Sequence, residues 1–252
     1  MVRTVVEQCA YVSLQSAALL RDTEVPLNTM SHSRLLVPDP VLDETRGDLV
    51  ATCRVDPLGG SRTGRTRRVK ASCVITSASG GAVVAVGETL AGVMERGLYR
   101  AWRGPSVTRA GHLHHPPQGG TGDRGGVRAR SENQVLSDLS RRPDGRVDAL
   151  LRLPTPHRYL LPPPSDHVTG RLFAEATRQI VLAGCVPGAP RATVSALRLE
   201  FRHLCTLDGA VRIESGAATA RSATARAGAA TWQVHFRQGG TTVCVATAET
   251  LG

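Results

Sequence analysis

The sequence of 252 residues predicts an α+β protein made of two similar units, each a long helix wrapped by a curled antiparallel sheet. A helix-like stretch followed by several alternating, strand-like runs occurs twice along the chain. Each copy also closes on a hairpin turned by a glycine pair. The two hairpins are SGGAVVAVGETL at 79–90 and QGGTTVCVATAETL at 238–251.

The first unit is predicted over residues 1–103 and opens with a helix-like stretch from Val2 to about Leu20. The segment EVPLNTMSHSRLLV follows, and then the alternating runs DLVATCRV, RRVKASCVIT and GGAVVAVGETL, each of which predicts a strand. The polar segment DPLGGSRTGRT between two of these runs is interpreted as an enlarged loop. Compared with the second unit, the chain begins inside the helix, so we expect the first unit to be incomplete at its N-terminus.

Residues 104–131 combine glycine, proline and charge without periodicity and predict a linker. The second unit follows over 132–252. It contains the strand-like run RVDALLRL and a helix from Gly170 to about Ala183. Four more strand-like runs complete it: ATVSALRLEFRHLC, GAVRIESGAATA, ATWQVHFR and GGTTVCVATAETL.

Composition argues against several classes of function. The net charge is +10, but the arginines are spread over the whole chain and aromatic residues make up 3% of it, which disfavours a nucleic-acid partner. A basic surface of this kind suits acidic partners, such as a phosphorylated substrate or an acidic carrier protein. The sequence contains neither a membrane span nor a signal peptide, so we expect a cytoplasmic protein without a membrane partner.

The cysteine and histidine patterns do not indicate a metal or another cofactor. Six cysteines are scattered without a C-x-x-C pair, which predicts free, buried thiols. The run HLHH at 112–115 has no carboxylate or cysteine at ligand spacing. We therefore expect the chain to bind no metal.

The most informative stretch is LPPPSDHVTGRLFAEATRQ at 161–179, where a proline-rich loop becomes a helix. At a helix start the first N–H groups lack intrahelical partners, so the backbone around Gly170 and Arg171 can hold a developing oxyanion. Glu175 follows just over one turn later and is a candidate general base if its face lies against the sheet. Alternatively, Glu175 pairs with Arg178 on an open face.

Two residues of the loop also have alternative interpretations. Asp166 is either part of a site or a cap for the turn into the helix. A histidine before a helix, such as His167, is more often a hydrogen-bonded structural residue than an acid or base.

The motif DHVTG followed by LFAEATRQ resembles that of the A-factor synthase family, the hotdog-fold proteins of γ-butyrolactone signal biosynthesis in high-GC bacteria. The segments YRAWRGP at 99–105 and ARSENQVLSD at 129–138 support the resemblance, as does EVPLNTMSHSRLLV. It implies a tandem hotdog fold. The spacing from Gly170 to Glu175 is also similar to that of hotdog acyl-carrier dehydratases.

The resemblance implies an acyltransferase that joins a 3-oxoacyl group, delivered on acyl carrier protein or coenzyme A, to the hydroxyl of dihydroxyacetone phosphate. Glu175 would accept the proton of that hydroxyl, and Asp166 and His167 would orient Glu175 or the substrate. Gly170, Arg171, Arg178 and Gln179 would bind substrate, with Arg178 contacting the phosphate or holding the loop. Alternatively, Arg178 and Gln179 are packing residues that face the neighbouring unit.

This chain departs from the family pattern at two positions of the loop. Thr169 stands where a proline is usual, and Pro163 replaces a histidine. These departures and the incomplete first unit support one alternative, a non-catalytic module that binds an acyl ligand or a partner protein. A hotdog thioesterase or a 3-hydroxyacyl dehydratase is another alternative, because these enzymes also use a carboxylate on the helix and a donor at the loop. The incomplete first unit also leaves open a homodimer that completes it.

Overall fold

The computed structural model divides the chain into two compact units, Met1–Arg109 and Ala110–Gly252. The helix predicted from Val2, the linker and the HLHH run lie outside the residues that the structure describes. Those residues are 23–36, 49–60, 66–78, 80–103, 133–153, 157, 159–161, 165–185, 193–217 and 230–251.

The first unit contains an antiparallel sheet in the order β2-β3-β4-β1. Its elements are β1 (Glu24–Leu35), β2 (Leu49–Gly60), β3 (Thr66–Ser77), β4 (Val83–Glu95) and the short helix α1 (Arg96–Arg103). Alternate residues of β3 are buried, which is the pattern of a sheet with one face covered. The three strand predictions are confirmed.

The interpretation of DPLGGSRTGRT as a loop is wrong at both ends of the stretch, while its residues 61–65 lie outside the described residues. Strand β2 continues through Asp56 to Gly60, and β3 begins at Thr66. A register shift between Pro57 and Gly60 lets the sheet accommodate the proline and glycines of this stretch. Proline and glycine therefore mark an irregular strand end here.

The second unit contains one helix and six antiparallel strands in the order β7-β10-β9-β8-β6-β5 among the residues described. Its elements are β5 (Leu136–Arg141), β6 (Val147–Leu151), α2 (Gly170–Gly184), β7 (Thr193–Phe201), β8 (Val211–Ala217), β9 (Ala230–Gln238) and β10 (Thr241–Leu251). Gly239 and Gly240 join β9 to β10 with φ values of 56° and 84°. Two positive φ values in succession give a turn whose twist matches that of the strands, as the glycine pair predicts.

Helix α2 lies on the buried face of this sheet and contacts β5, β6, β7 and β10. Because these include both ends of the strand order, the sheet of the second unit curves around the helix. The apolar face of the helix, including Leu172, Phe173 and Ile180, is buried in one core with inward residues of the strands. The predicted helix is confirmed and ends one residue beyond Ala183.

Gly184 ends α2 where the helix meets Trp232 of β9, and no larger residue fits there. A Cβ atom at this position would lie 2.5 Å from Cη2 of the indole, which is itself buried. We expect Gly184→Ala to lower the free energy of unfolding by about 1–3 kcal/mol in thermal denaturation, although alanine is the better helix former. Gly216→Ala is the control, because the nearest atom to its Cβ would be 3.7 Å away. Equal midpoints for the two variants would refute the predicted clash.

Candidate active site

The start of α2 is set by Thr169, whose side chain caps the helix. Its backbone is extended, and Oγ1 accepts a hydrogen bond of 3.3 Å from the N–H of Leu172. The same hydroxyl donates to the carbonyl oxygen of Leu160. The interpretation of Asp166 as the cap is therefore wrong, because Thr169 occupies that position. Threonine is a preferred cap residue, so its place immediately before Gly170 is the sequence signal for this cap.

Capping by Thr169 leaves the helix start suited to negative charge. The first backbone N–H groups of a helix, here those of Gly170 and Arg171, have no intrahelical acceptor. The helix dipole adds partial positive charge at the same end. A thioester carbonyl placed here would be polarised toward its oxyanion.

Glu175 lies one turn further along and forms an ion pair that is largely buried. Arg178 Nε donates to Oε2 at 3.1 Å, and Arg178 Nη2 donates to Oε1 at 3.0 Å. Only 13% of the Glu175 side chain and 23% of the Arg178 side chain are exposed. The predicted pair with Arg178 is present, but the face is not open. These donors stabilise the ionised carboxylate, which is the form that a general base requires.

Gln179 donates a further hydrogen bond to Glu175 and connects it to residues 133–135. Its Nε2 donates to Glu175 Oε1 at 2.7 Å and to the carbonyl oxygen of Asn133 at 2.7 Å, while its Oε1 accepts from the N–H of Val135 at 3.1 Å. Both amide hydrogens are thus used within the chain, and the residue is 4% exposed. The structure therefore places Gln179, which we predicted to bind substrate, as a link between α2 and residues 133–135.

Asp166 and His167 contact each other in the loop before the helix. Asp166 Oδ1 lies 2.5 Å from His167 Nδ1, and the two side chains are 32% and 38% exposed. The next residue, Val168, is buried and donates its N–H to the carbonyl oxygen of Cys205 at 2.9 Å, which anchors the loop. The acidic neighbour and the anchor fix the position of the imidazole. The role of the pair in orienting Glu175 or the substrate stays a prediction, and Pro163 lies outside the described residues.

The cysteines near α2 are unsuited to nucleophilic catalysis. Burial, with a smaller contribution from Asp208, raises the pKa of Cys205 to about 12. Burial also raises the pKa of Cys185. Both thiols are protonated at neutral pH, and a thiol without its thiolate is a poor nucleophile. The five cysteines in the described part of the chain are thiols and not disulfides. The prediction that they are buried is confirmed for Cys73, Cys205 and Cys244 and is wrong for Cys53 and Cys185, which are partly exposed.

Comparison with known proteins supports the family resemblance that the sequence motif indicates. A family model described as the A-factor biosynthesis hotdog domain matches residues 126–251. No curated protein matches the sequence significantly.

Among the helices of the described residues, none has the length and apolar character needed to cross a membrane.

Two of the solved structures that resemble the whole chain are thioesterases. The 12:0-ACP thioesterase from Umbellularia californica has a TM-score of 0.54 and 14% identity, over 98% of this chain and 88% of that one. An acyl-ACP thioesterase from Bacteroides thetaiotaomicron has a TM-score of 0.51 and 8% identity, over 98% of this chain and 86% of that one. At such low identity the likeness shows the hotdog fold alone.

Proposed function

The chain belongs to the A-factor biosynthesis hotdog domain family, and from this premise we propose that it is an acyltransferase of γ-butyrolactone-type signal biosynthesis. Its donor is a 3-oxoacyl thioester of acyl carrier protein or coenzyme A, and its acceptor is the hydroxyl of dihydroxyacetone phosphate. The product is a phosphorylated ester that closes to a butenolide precursor. The observation that carries the proposal is a largely buried carboxylate, Glu175, one turn from a helix N-terminus.

Glu175 accepts the proton of the attacking hydroxyl in this mechanism. The hydroxyl oxygen forms a bond to the thioester carbon, and the carbon–sulfur bond then breaks. The protonated Glu175 returns its proton to the departing thiolate. The N–H groups of Gly170 and Arg171 stabilise the oxyanion between these two steps. Asp166 and His167 orient the reacting groups from the loop.

In this mechanism Arg178 couples binding of the phosphate group of the acceptor to the basicity of Glu175. Its side chain is more exposed than that of Glu175, with which it pairs, and arginine is well suited to contacting phosphate. While the ion pair is intact, Arg178 stabilises the ionised Glu175 and so weakens it as a base. A phosphate dianion that draws the guanidinium away makes the carboxylate more basic when the acceptor hydroxyl is present.

Mass spectrometry of the protein incubated with a 3-oxoacyl thioester tests the function. Three reactions are compared: with dihydroxyacetone phosphate, with dihydroxyacetone, and with neither. We expect a new ester or butenolide mass with dihydroxyacetone phosphate and at least about 100-fold less product with dihydroxyacetone, because the phosphate both positions the acceptor and engages Arg178. Equal product with both acceptors would contradict the role of the phosphate.

The same experiment separates the alternative functions. Free acid or an enoyl product formed without an acceptor would indicate a thioesterase or a dehydratase, which use the same kind of carboxylate and helix start. A non-catalytic module is favoured by one observation, the three hydrogen bonds that hold Glu175 to Arg178 and Gln179. No product from folded protein would support that function.

A further inference from the structure

His157, to which the sequence assigns no chemical role, and residues 159–161 are connected to the site by hydrogen bonds. His157 Nε2 lies 3.1 Å from Asn133 Oδ1. The carbonyl oxygen of the same Asn133 accepts a hydrogen bond from Gln179, which in turn donates to Glu175. Asn133 thus connects His157 to Glu175, because its side-chain oxygen contacts His157 and its backbone carbonyl contacts Gln179.

The hydrogen bonds of His157 indicate which of its two ring nitrogens accepts. Its Nδ1 accepts from the N–H of Leu160 at 3.0 Å and from the N–H of Tyr159 at 3.2 Å. A nitrogen that accepts carries no proton, so these two contacts favour the tautomer with its proton on Nε2. Nε2 therefore donates to Asn133 Oδ1, and the amide group of Asn133 is oriented with its oxygen toward the ring.

The loop returns to the helix start at Leu160. The carbonyl oxygen of Leu160 accepts from Thr169 Oγ1, and Thr169 caps α2. The hydrogen bonds connect, in order, Glu175, Gln179, Asn133, His157, Leu160 and Thr169. The start of α2 then leads from Thr169 back to Glu175 and closes the circuit. The circuit therefore connects both the start of α2 and the Glu175 carboxylate to Asn133 and to the loop that contains His157 and Leu160.

We propose that Asn133 and His157 are positioning residues for acyl transfer, which hold the Glu175 carboxylate at a fixed place relative to the helix N-terminus. This inference rests on the proposed function. Neither side chain needs to touch the substrate, because both act through Gln179 and Thr169. A misplacement of about 1 Å in a catalytic group lowers a rate by about 100-fold, so a loosened circuit reduces turnover even when substrate still binds.

Steady-state kinetics of Asn133→Ala and His157→Phe test the proposal. We expect kcat to fall by about 10- to 100-fold with KM for the thioester within about 3-fold of the wild-type value, because the reacting geometry is lost and the binding surface is kept. Asn133→Asp retains an acceptor for Nε2 and should recover most of kcat. His203→Phe is the control for His157→Phe, since His203 lies exposed in the same unit and should leave kcat unchanged.

Nitrogen NMR of the His157 imidazole gives a readout that does not depend on activity. We expect a neutral ring protonated at Nε2 in the wild-type protein and a changed Nε2 environment in Asn133→Ala. Wild-type kcat in a folded Asn133→Ala variant, or a proton on Nδ1, would overturn the positioning role while leaving acyl transfer intact. An inactive wild-type protein would instead overturn the proposed function, and the positioning role with it.

Discussion

Glu175→Gln should lower the rate of acyl transfer by at least about 100-fold, because an amide cannot accept the proton of the attacking hydroxyl. Glutamine has nearly the same shape as glutamate and retains an oxygen that can accept from Arg178 or Gln179. The loss of rate therefore reports on the missing proton acceptor more than on a change of structure. Mass spectrometry of the ester formed from 3-oxoacyl thioester and dihydroxyacetone phosphate measures it.

Stability should change modestly in the same variant, because Arg178 loses its charged partner. Removing one member of a fully buried ion pair costs about 3–5 kcal/mol, and we expect about 1–3 kcal/mol here because the pair is partly exposed. Glu200→Gln is the matched control, since Glu200 pairs with Arg198 at 2.9 Å on an exposed part of β7. The control should retain full activity. Full activity in Glu175→Gln would show that another group is the base.

Phe236→Ala should cause the largest loss of stability among these substitutions. The side chain is fully buried in the core between α2 and the sheet, and its ring meets that of Phe173 edge to face at 4.8 Å between centroids. Truncating a buried phenylalanine leaves a cavity and costs about 3–5 kcal/mol. For a protein of this size that corresponds to a fall of about 10 °C in the midpoint of thermal denaturation.

Leu139→Ala serves as the control for the cavity, because Leu139 on β5 is 43% exposed and belongs to the same unit. Its midpoint should stay within about 2 °C of that of the wild-type protein, since an exposed side chain leaves no cavity. A midpoint for Phe236→Ala as high as that of Leu139→Ala would mean that Phe236 does not lie in the core.

The predictions from sequence that the structure confirms depend on local patterns. Alternation of apolar residues predicted the strands around Val234 and Ile75, since side chains of a strand point to opposite faces in turn. The glycine pair at 239–240 predicted the last hairpin, because its turn requires positive φ at both positions. Apolar spacing predicted the helix from Gly170, although the sequence did not identify Thr169 as its cap. Each of these signals lies within one element and its two ends.

The arrangement of the site depends instead on contacts between residues far apart in the chain. Gln179 contacts Asn133, and Asn133 contacts His157, only because the helix and two loops pack against one sheet. Spacing also left open whether Glu175 pairs with Arg178 on an open face, and packing decided that the pair is largely buried. The sequence alone therefore determined most of the strands, the helix and the family motif of this protein, but not strands β1 and β5 or the end of β2. The burial and the partners of its polar side chains were decided by the tertiary structure, because they depend on which distant segments exclude water from them.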